Sequence, residues 1–241
     1  PVNIGCLWML TNVDECSIST KDMTEHTLQQ KLIAEFIGTF FLTLTICLTA
    51  VFGSSSSTHP AFPIAATLMV MIYGLGHISG AHFNPAVTMG IWIRGACDKS
   101  DVLPYISTQV LAGITGAIVS IQIYTEEYQI PLEADSLLSS HNYSSVLLAE
   151  LLFTFALVFV ILNVATSEKT AGNHYFGFAI ASVVFAGALT VGVVSMASFN
   201  PAVSISLVAV GKLKLTEVLW LHMAPQLAGA FIAVQAFKAT H

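Results

Sequence analysis

Six long apolar runs govern this sequence, at roughly 32–53, 61–80, 103–124, 146–166, 174–195 and 216–237. Each is close to the ~20 residues that a helix needs to cross about 30 Å of hydrocarbon. In lipid every backbone N–H and C=O must find a partner within the segment, which restricts such runs to helices. Turn-like breaks separate them: Gly53-Ser54-Ser55-Ser56-Ser57, Asp98-Lys99-Ser100 and Ser167-Glu168-Lys169. Only 9% of the 241 residues are charged and 55% are hydrophobic, with mean hydropathy +0.77. A soluble domain carries about 25% charged residues, so the expected solvent is a lipid bilayer. Residues 1–28 read as an extramembrane N-terminal arm without a cleavable leader pattern, and 29–241 as one membrane domain.

Two further apolar segments, Asn84 to Ile93 and Asn200 to Val210, are too short to span. Ten helical residues cover ~15 Å, half a bilayer. Each opens with Asn then Pro, and Pro suits the first turn of a helix. Each follows small residues, Ser79-Gly80-Ala81 and Ala197-Ser198. The chain also repeats itself. Ala34-Glu35-Phe36 and Thr39 correspond to Ala149-Glu150-Leu151 and Thr154. Asn84-Pro85-Ala86-Val87 corresponds to Asn200-Pro201-Ala202-Val203, and Leu111-Ala112-Gly113 to Leu227-Ala228-Gly229. The offsets, 115 and 116, predict an internal duplication, with repeat one at about 30–124 and repeat two at about 145–238. Three spans per repeat invert the second copy in the membrane and place a shared site near the midplane.

Charge supplies orientation and exclusions. With both termini cytoplasmic, Lys21, Lys31, Arg94, Lys99, Lys169 and Lys238 fall inside, and only Lys212 and Lys214 outside, as the positive-inside rule requires. Loop 125–144, with Glu126, Glu127, Glu133 and Asp135, then lies outside and carries Asn142-Tyr143-Ser144, a possible glycosylation acceptor. The net charge of −6 and the absence of a basic run argue against nucleic-acid binding. Cys6, Cys16, Cys47 and Cys97 are scattered, so no disulfide framework or metal site is expected, and Cys47 and Cys97 read as packing residues. No nucleophile–base set or phosphate loop stands out, so neither catalysis nor a cofactor is expected.

Inverted half-helices would meet by their N-termini, each carrying about half a positive elementary charge and unpaired N–H donors. That point repels cations, hydronium included. The Asn side chains offer donors to a passing oxygen, and the non-helical backbone before them offers carbonyls. Irregular backbone at this depth is tolerated where it lines a cavity, so the arrangement suits a small, polar, uncharged solute. Here a resemblance enters. Gly76-His77-Ile78-Ser79-Gly80-Ala81-His82-Phe83-Asn84-Pro85-Ala86-Val87-Thr88 resembles the first signature loop of the aquaporin, or major intrinsic protein, family. Ala197-Ser198-Phe199-Asn200-Pro201-Ala202 resembles the second. The resemblance covers roughly residues 30–238. It implies an all-α membrane protein of six transmembrane helices and two re-entrant half-helices in inverted three-span repeats, assembled as a homotetramer with one pore per subunit. It implies that Asn84 and Asn200 are the central donors and that Pro85, Ala86, Pro201 and Ala202 complete the motifs. Carbonyls of Gly80, Ala81, His82, Met196, Ala197 and Ser198 would form the acceptor ladder. Glu35 and Glu150 would be buried carboxyls that hold the loops.

The chain also departs from the family pattern. Most aquaporins have Arg after the second Asn-Pro-Ala, where Val203 stands. By the resemblance Val203 belongs to a four-residue constriction with Ile64, Ala188 and Ala197, a set without charge or ring. Tonoplast-like members are similar at the last two positions, and glycerol channels keep Arg with two aromatics. The expected gate is wider and greasier, passing water with ammonia, urea, hydrogen peroxide or glycerol. A strict water channel is the alternative, with Phe62, Phe83 or Phe199 supplying a ring; a coupled secondary transporter and a closed-pore adhesive paralogue remain open too. The usual Gly-Pro after the second motif is replaced by Ser204-Ile205-Ser206-Leu207, and Met196 stands where relatives have Gly. His77 and His82 read as structural donors near the inner mouth, and Asp101 and Ser100 as a solvated turn.

Overall fold

A computed structural model describes residues 26–53, 59–124 and 142–241. The N-terminal arm up to residue 25, the serine run at 54–58 and loop residues 125–141 lie outside the described residues. Among the described residues six helices are long and apolar enough to cross a membrane: α1 Leu28–Val51, α2 Ala61–Ser79, α4 Lys99–Tyr124, α5 Tyr143–Ala165, α6 Phe176–Ser195 and α8 Leu215–Thr240. Two short ones, α3 Pro85–Arg94 and α7 Pro201–Ala209, fill the remaining places in chain order.

Local chemistry sets the boundaries. Thr27 and Gln30 form a reciprocal capping box that starts α1 at Leu28, four residues before the apolar run. Asn142 caps α5 through its side-chain oxygen, which accepts from the Ser145 N–H at 2.9 Å. The Asp98-Lys99-Ser100 break is narrower than expected, because Lys99 already opens α4. Asp101 is not a solvated turn residue either: it stands in the first turn of α4 and pairs with Lys31 of α1 at 3.2 Å. Half-buried Cys97 precedes it, its thiol raised by desolvation and then by Asp101 and Asp98, and is therefore kept neutral. Two π-helical turns, Cys47–Val51 in α1 and Val218–Met223 in α8, carry no signature in the sequence.

Spans approach each other where side chains are absent. Gly116 of α4 lies on α1, and a Cβ there would meet the Phe40 carbonyl oxygen at 2.9 Å; Gly229 of α8 likewise lies against the Leu151 carbonyl of α5. The half-helices cross over between the two halves of the chain. α7 packs on α4, where a Cβ at Gly113 would sit 2.8 Å from the Ala202 carbonyl, and α3 packs on α5 and α8, with Gly90 against Val158. Gly116→Ala is expected to destabilise the fold by about 2 kcal/mol through overpacking. Gly74→Ala is the control, since nothing lies within 4 Å of a Cβ there. Thermal unfolding in detergent checks the difference: equal midpoints for the two variants would refute it.

Candidate functional site

The site is built on two loops, residues 80–84 and 196–200, that turn back from the ends of α2 and α6. Both helices end in a left-handed residue, Gly80 at φ 84 and Met196 at φ 62, whose N–H bonds to the carbonyl of Gly76 or Gly192 at 2.9 Å. Ala81, Phe83, Ala197 and Phe199 are also left-handed, at roughly 1–2 kcal/mol each for a residue with a Cβ. Such a conformation persists only where its surroundings over-determine it.

Two fully buried glutamates provide that constraint. Glu35 Oε1 accepts from the Ser79 hydroxyl at 2.7 Å and the His82 N–H at 2.9 Å. Its Oε2 accepts from the Phe83 N–H at 2.7 Å and the Gln109 amide at 2.8 Å. Glu150 repeats the pattern: Oε1 accepts from Ser195 Oγ at 2.6 Å and the Ser198 N–H at 3.2 Å, and Oε2 from the Phe199 N–H at 2.9 Å and the Gln226 amide at 2.7 Å. In each loop the serine oxygen also accepts the N–H of the residue two positions on, Ala81 or Ala197. With its N–H groups held by the carboxyl, the loop can present carbonyls to the opposite side.

Asn84 and Asn200 join the loops to the half-helices. Asn84 Oδ1 accepts from the Ala86 N–H at 2.8 Å and Asn200 Oδ1 from the Ala202 N–H at 2.9 Å, with Pro85 and Pro201 in the first helical position. Each side-chain amide also reaches across the molecule. Asn84 Nδ2 donates to the Phe199 carbonyl and Asn200 Nδ2 to the Phe83 carbonyl, both at 2.9 Å. The two helix N-termini therefore meet head to head. An amide has two N–H donors, so one on each Asn is spent on this cross-tie and one is left over.

A cavity of about 1010 Å³ runs past this meeting point. Its wall includes Asn84, Asn200, Gly80, Ala81, His82, Met196, Ala197 and Ser198, and Ile64, Ala188 and Val203 line it as well. Between its two ends the wall is largely apolar and several of its members correspond across the halves: Leu42 with Leu157, Ile46 with Ile161, Leu68 with Val184, and Gly76 with Gly192. His59 and Pro60 stand at the α7 end; His77, edge-on to His26 at 6.1 Å, stands at the α3 end with Thr166 to Glu168 and Thr170 to Asn173. There Arg94 donates to the Thr166 carbonyl at 3.4 Å and lies 5.0 Å from the Phe237 ring centroid.

The aromatic candidates for a narrowed gate do not fill it. Phe62 is 55% exposed and packs edge-on against Phe185 at 4.9 Å, off the wall. Phe199 is fully buried, stacked on Phe153 over Gly187; Phe83 borders the cavity, but its ring is pressed onto Gly38. Both rings serve the frame behind the loops.

Several frame residues escape a motif reading. Gln109 and Gln226 are 117 positions apart, one off the repeat offset, and look like ordinary polar residues within apolar spans. An imidazole stands behind each loop but is supplied differently. In the first half it is His82 of the loop, with Nδ1 3.1 Å from Thr88 Oγ1. In the second it is His222 from the π-helical turn of α8, with Nδ1 3.2 Å from Ser204 Oγ and 3.1 Å from Ser198 Oγ. Thr88 and Ser204 are repeat mates, and only this contact would have revealed His222 as the counterpart.

Comparison with known proteins supplies the family and the fold. The chain is similar to a rice (Oryza sativa subsp. japonica) protein, Aquaporin NIP1-4, at 36% identity over 216 residues, 88% of this chain and 77% of the relative. It is 33% identical over 215 residues to the maize (Zea mays) Aquaporin NIP1-1, covering 87% and 74% of the two chains. The crystal structure of the aquaglyceroporin from Plasmodium falciparum superposes with a TM-score of 0.72 at 20% identity, over 88% of this chain and 96% of that one, a likeness of fold. The family model of the major intrinsic proteins matches residues 22–233. The chain is an integral, multi-pass membrane protein and belongs to the major intrinsic protein, or aquaporin, family.

Proposed function

We propose that the protein is a passive transmembrane channel for water and small uncharged solutes such as ammonia, urea, hydrogen peroxide or glycerol, and that it refuses ions and protons. One observation carries this reading: the N-termini of α3 and α7 meet beside a long cavity, tied by the Asn84–Phe199 and Asn200–Phe83 bonds at 2.9 Å. Two positive helix ends at one point repel a cation, while a spare amide donor and outward carbonyls replace the hydration of a neutral molecule. The Asn-Pro-Ala motifs are the central filter, and the carbonyls of residues 80–82 and 196–198 lead to it.

Ile64, Ala188, Ala197 and Val203 form the outer constriction in this proposal. None carries a charge, and the nearby phenylalanine rings are turned elsewhere, which favours passage wider than water alone. The bilayer orientation has both termini cytoplasmic, the α3 end inside and the α7 end outside, with Asn142 exposed there as a glycosylation acceptor. In the membrane the chain works as a homotetramer, one pore per subunit, surrounded by lipid. Uptake of water, glycerol, urea, ammonia and peroxide into proteoliposomes tests the reading; water passage with every other solute excluded would leave a strict water channel instead. Val203→Arg introduces a fixed cation with several donors beside Ala197. It is expected to lower glycerol and urea permeability about tenfold more than water permeability, a ~1.4 kcal/mol difference in barrier. Equal losses for all solutes would count against the assigned constriction.

A further inference from the structure

The two re-entrant loops differ at one coupled pair of positions. In the first, Gly80 is followed by His82, and a Cβ on Gly80 would meet the His82 ring, 3.2 Å from Nε2. That loop has no room for a side chain. In the second, the mates are Met196 and Ser198. Ser198 is too short to occupy the space of an imidazole, and the ring that reaches Ser204 comes from His222 on α8 instead. The exchange leaves the flank of position 196 free, and a methionine fills it although φ is 62, a backbone that favours glycine.

The frame does not need that side chain. The Met196 N–H closes α6 on Gly192 as the Gly80 N–H closes α2 on Gly76, both at 2.9 Å. Met196 is partly buried against the core and, like Ala197 and Val203, lines the cavity. One turn earlier, Gly192 on the same wall faces open space, with nothing within 4 Å of a built Cβ. An unbranched thioether with three rotatable bonds on a cavity wall can change rotamer.

We infer that Met196 is a specificity-determining residue, a movable gate-post that sets the largest solute admitted at the constriction. This rests on the channel reading above. A thioether offers no N–H or O–H donor, so it discriminates by size and not by hydrogen bonding. The test compares Met196→Gly, Met196→Leu and Met196→Phe in proteoliposomes, measuring glycerol and urea permeability relative to water. Glycine is expected to raise both ratios about threefold or more and phenylalanine to lower them by a similar factor, with leucine close to wild type, the pattern of a steric barrier shifted by a fraction of the ~1.4 kcal/mol that makes a factor of ten. Glycine suits the backbone, so Met196→Gly should keep its thermal midpoint. Unchanged ratios in Met196→Gly, with water permeability and midpoint retained, would overturn the inference even if the phenylalanine variant failed to fold. If wild type passes water alone, the broad-pore proposal fails separately; Met196→Gly then upholds the gate-post by admitting glycerol, or removes it by admitting none.

Discussion

Glu35→Ala and Glu150→Ala are each expected to abolish the folded protein. Glu35 accepts four hydrogen bonds and Glu150 five, in each case from one re-entrant loop and its supporting side chains, and both are fully buried. An unpartnered buried donor costs about 1–3 kcal/mol, so four of them approach the ~5–15 kcal/mol that holds a typical protein together. The loop would also lose the contacts that keep Ala81 and Phe83 left-handed. Glu35→Gln is the instructive intermediate. It keeps volume and one acceptor oxygen but turns an N–H₂ toward groups that are themselves donors. Folded yield by size exclusion should rank wild type, then glutamine, then alanine. An alanine variant with wild-type midpoint and water permeability would remove the carboxyl from its assigned place.

Asn200→Asp, and Asn84→Asp with it, are expected to admit cations. Aspartate is as good an N-cap as asparagine, so the bond to the Ala202 N–H at 2.9 Å survives. What is lost is the Nδ2 donor to Phe83, replaced by an oxygen facing a carbonyl oxygen. A negative charge is also placed where two helix ends contribute about half a positive charge each. Planar-bilayer recordings should show sodium or potassium currents at least about tenfold above the wild-type leak, the factor that ~1.4 kcal/mol of barrier produces. A variant that conducts water normally and carries no ionic current would show that the meeting point of α3 and α7 is not what refuses ions.

Much of the architecture could be read before any coordinates, for identifiable reasons. A span leaves a long, unbroken apolar record, and a half-helix leaves a short one that opens with Asn-Pro. Glu35 and Glu150 are conspicuous because carboxyls in apolar runs are costly and rare. Gln109 and Gln226 make bonds as short, at 2.8 and 2.7 Å, yet a neutral amide in a span draws no attention. His222 owes its position to a π-helical turn, whose extra residue per turn shifts the face a side chain occupies and leaves no local pattern. The phenylalanines could not be placed for a related reason: ring identity is visible in a sequence, but ring direction depends on left-handed φ values at Phe83 and Phe199 that non-glycine residues rarely adopt.

The crossing of the half-helices bears on how the molecule comes into being. During synthesis α3 exists before α5 and α8, two of the three spans it packs on, and the Asn84 amide waits for a carbonyl that is more than a hundred residues away. The first half therefore has no finished state of its own in the bilayer. Its re-entrant segment must linger at the interface or borrow water until the second half inserts. Completion then comes as one late event, in which each half supplies the floor under the other's half-helix. A chain interrupted between α4 and α5 should yield two fragments that are degraded alone and persist when made together.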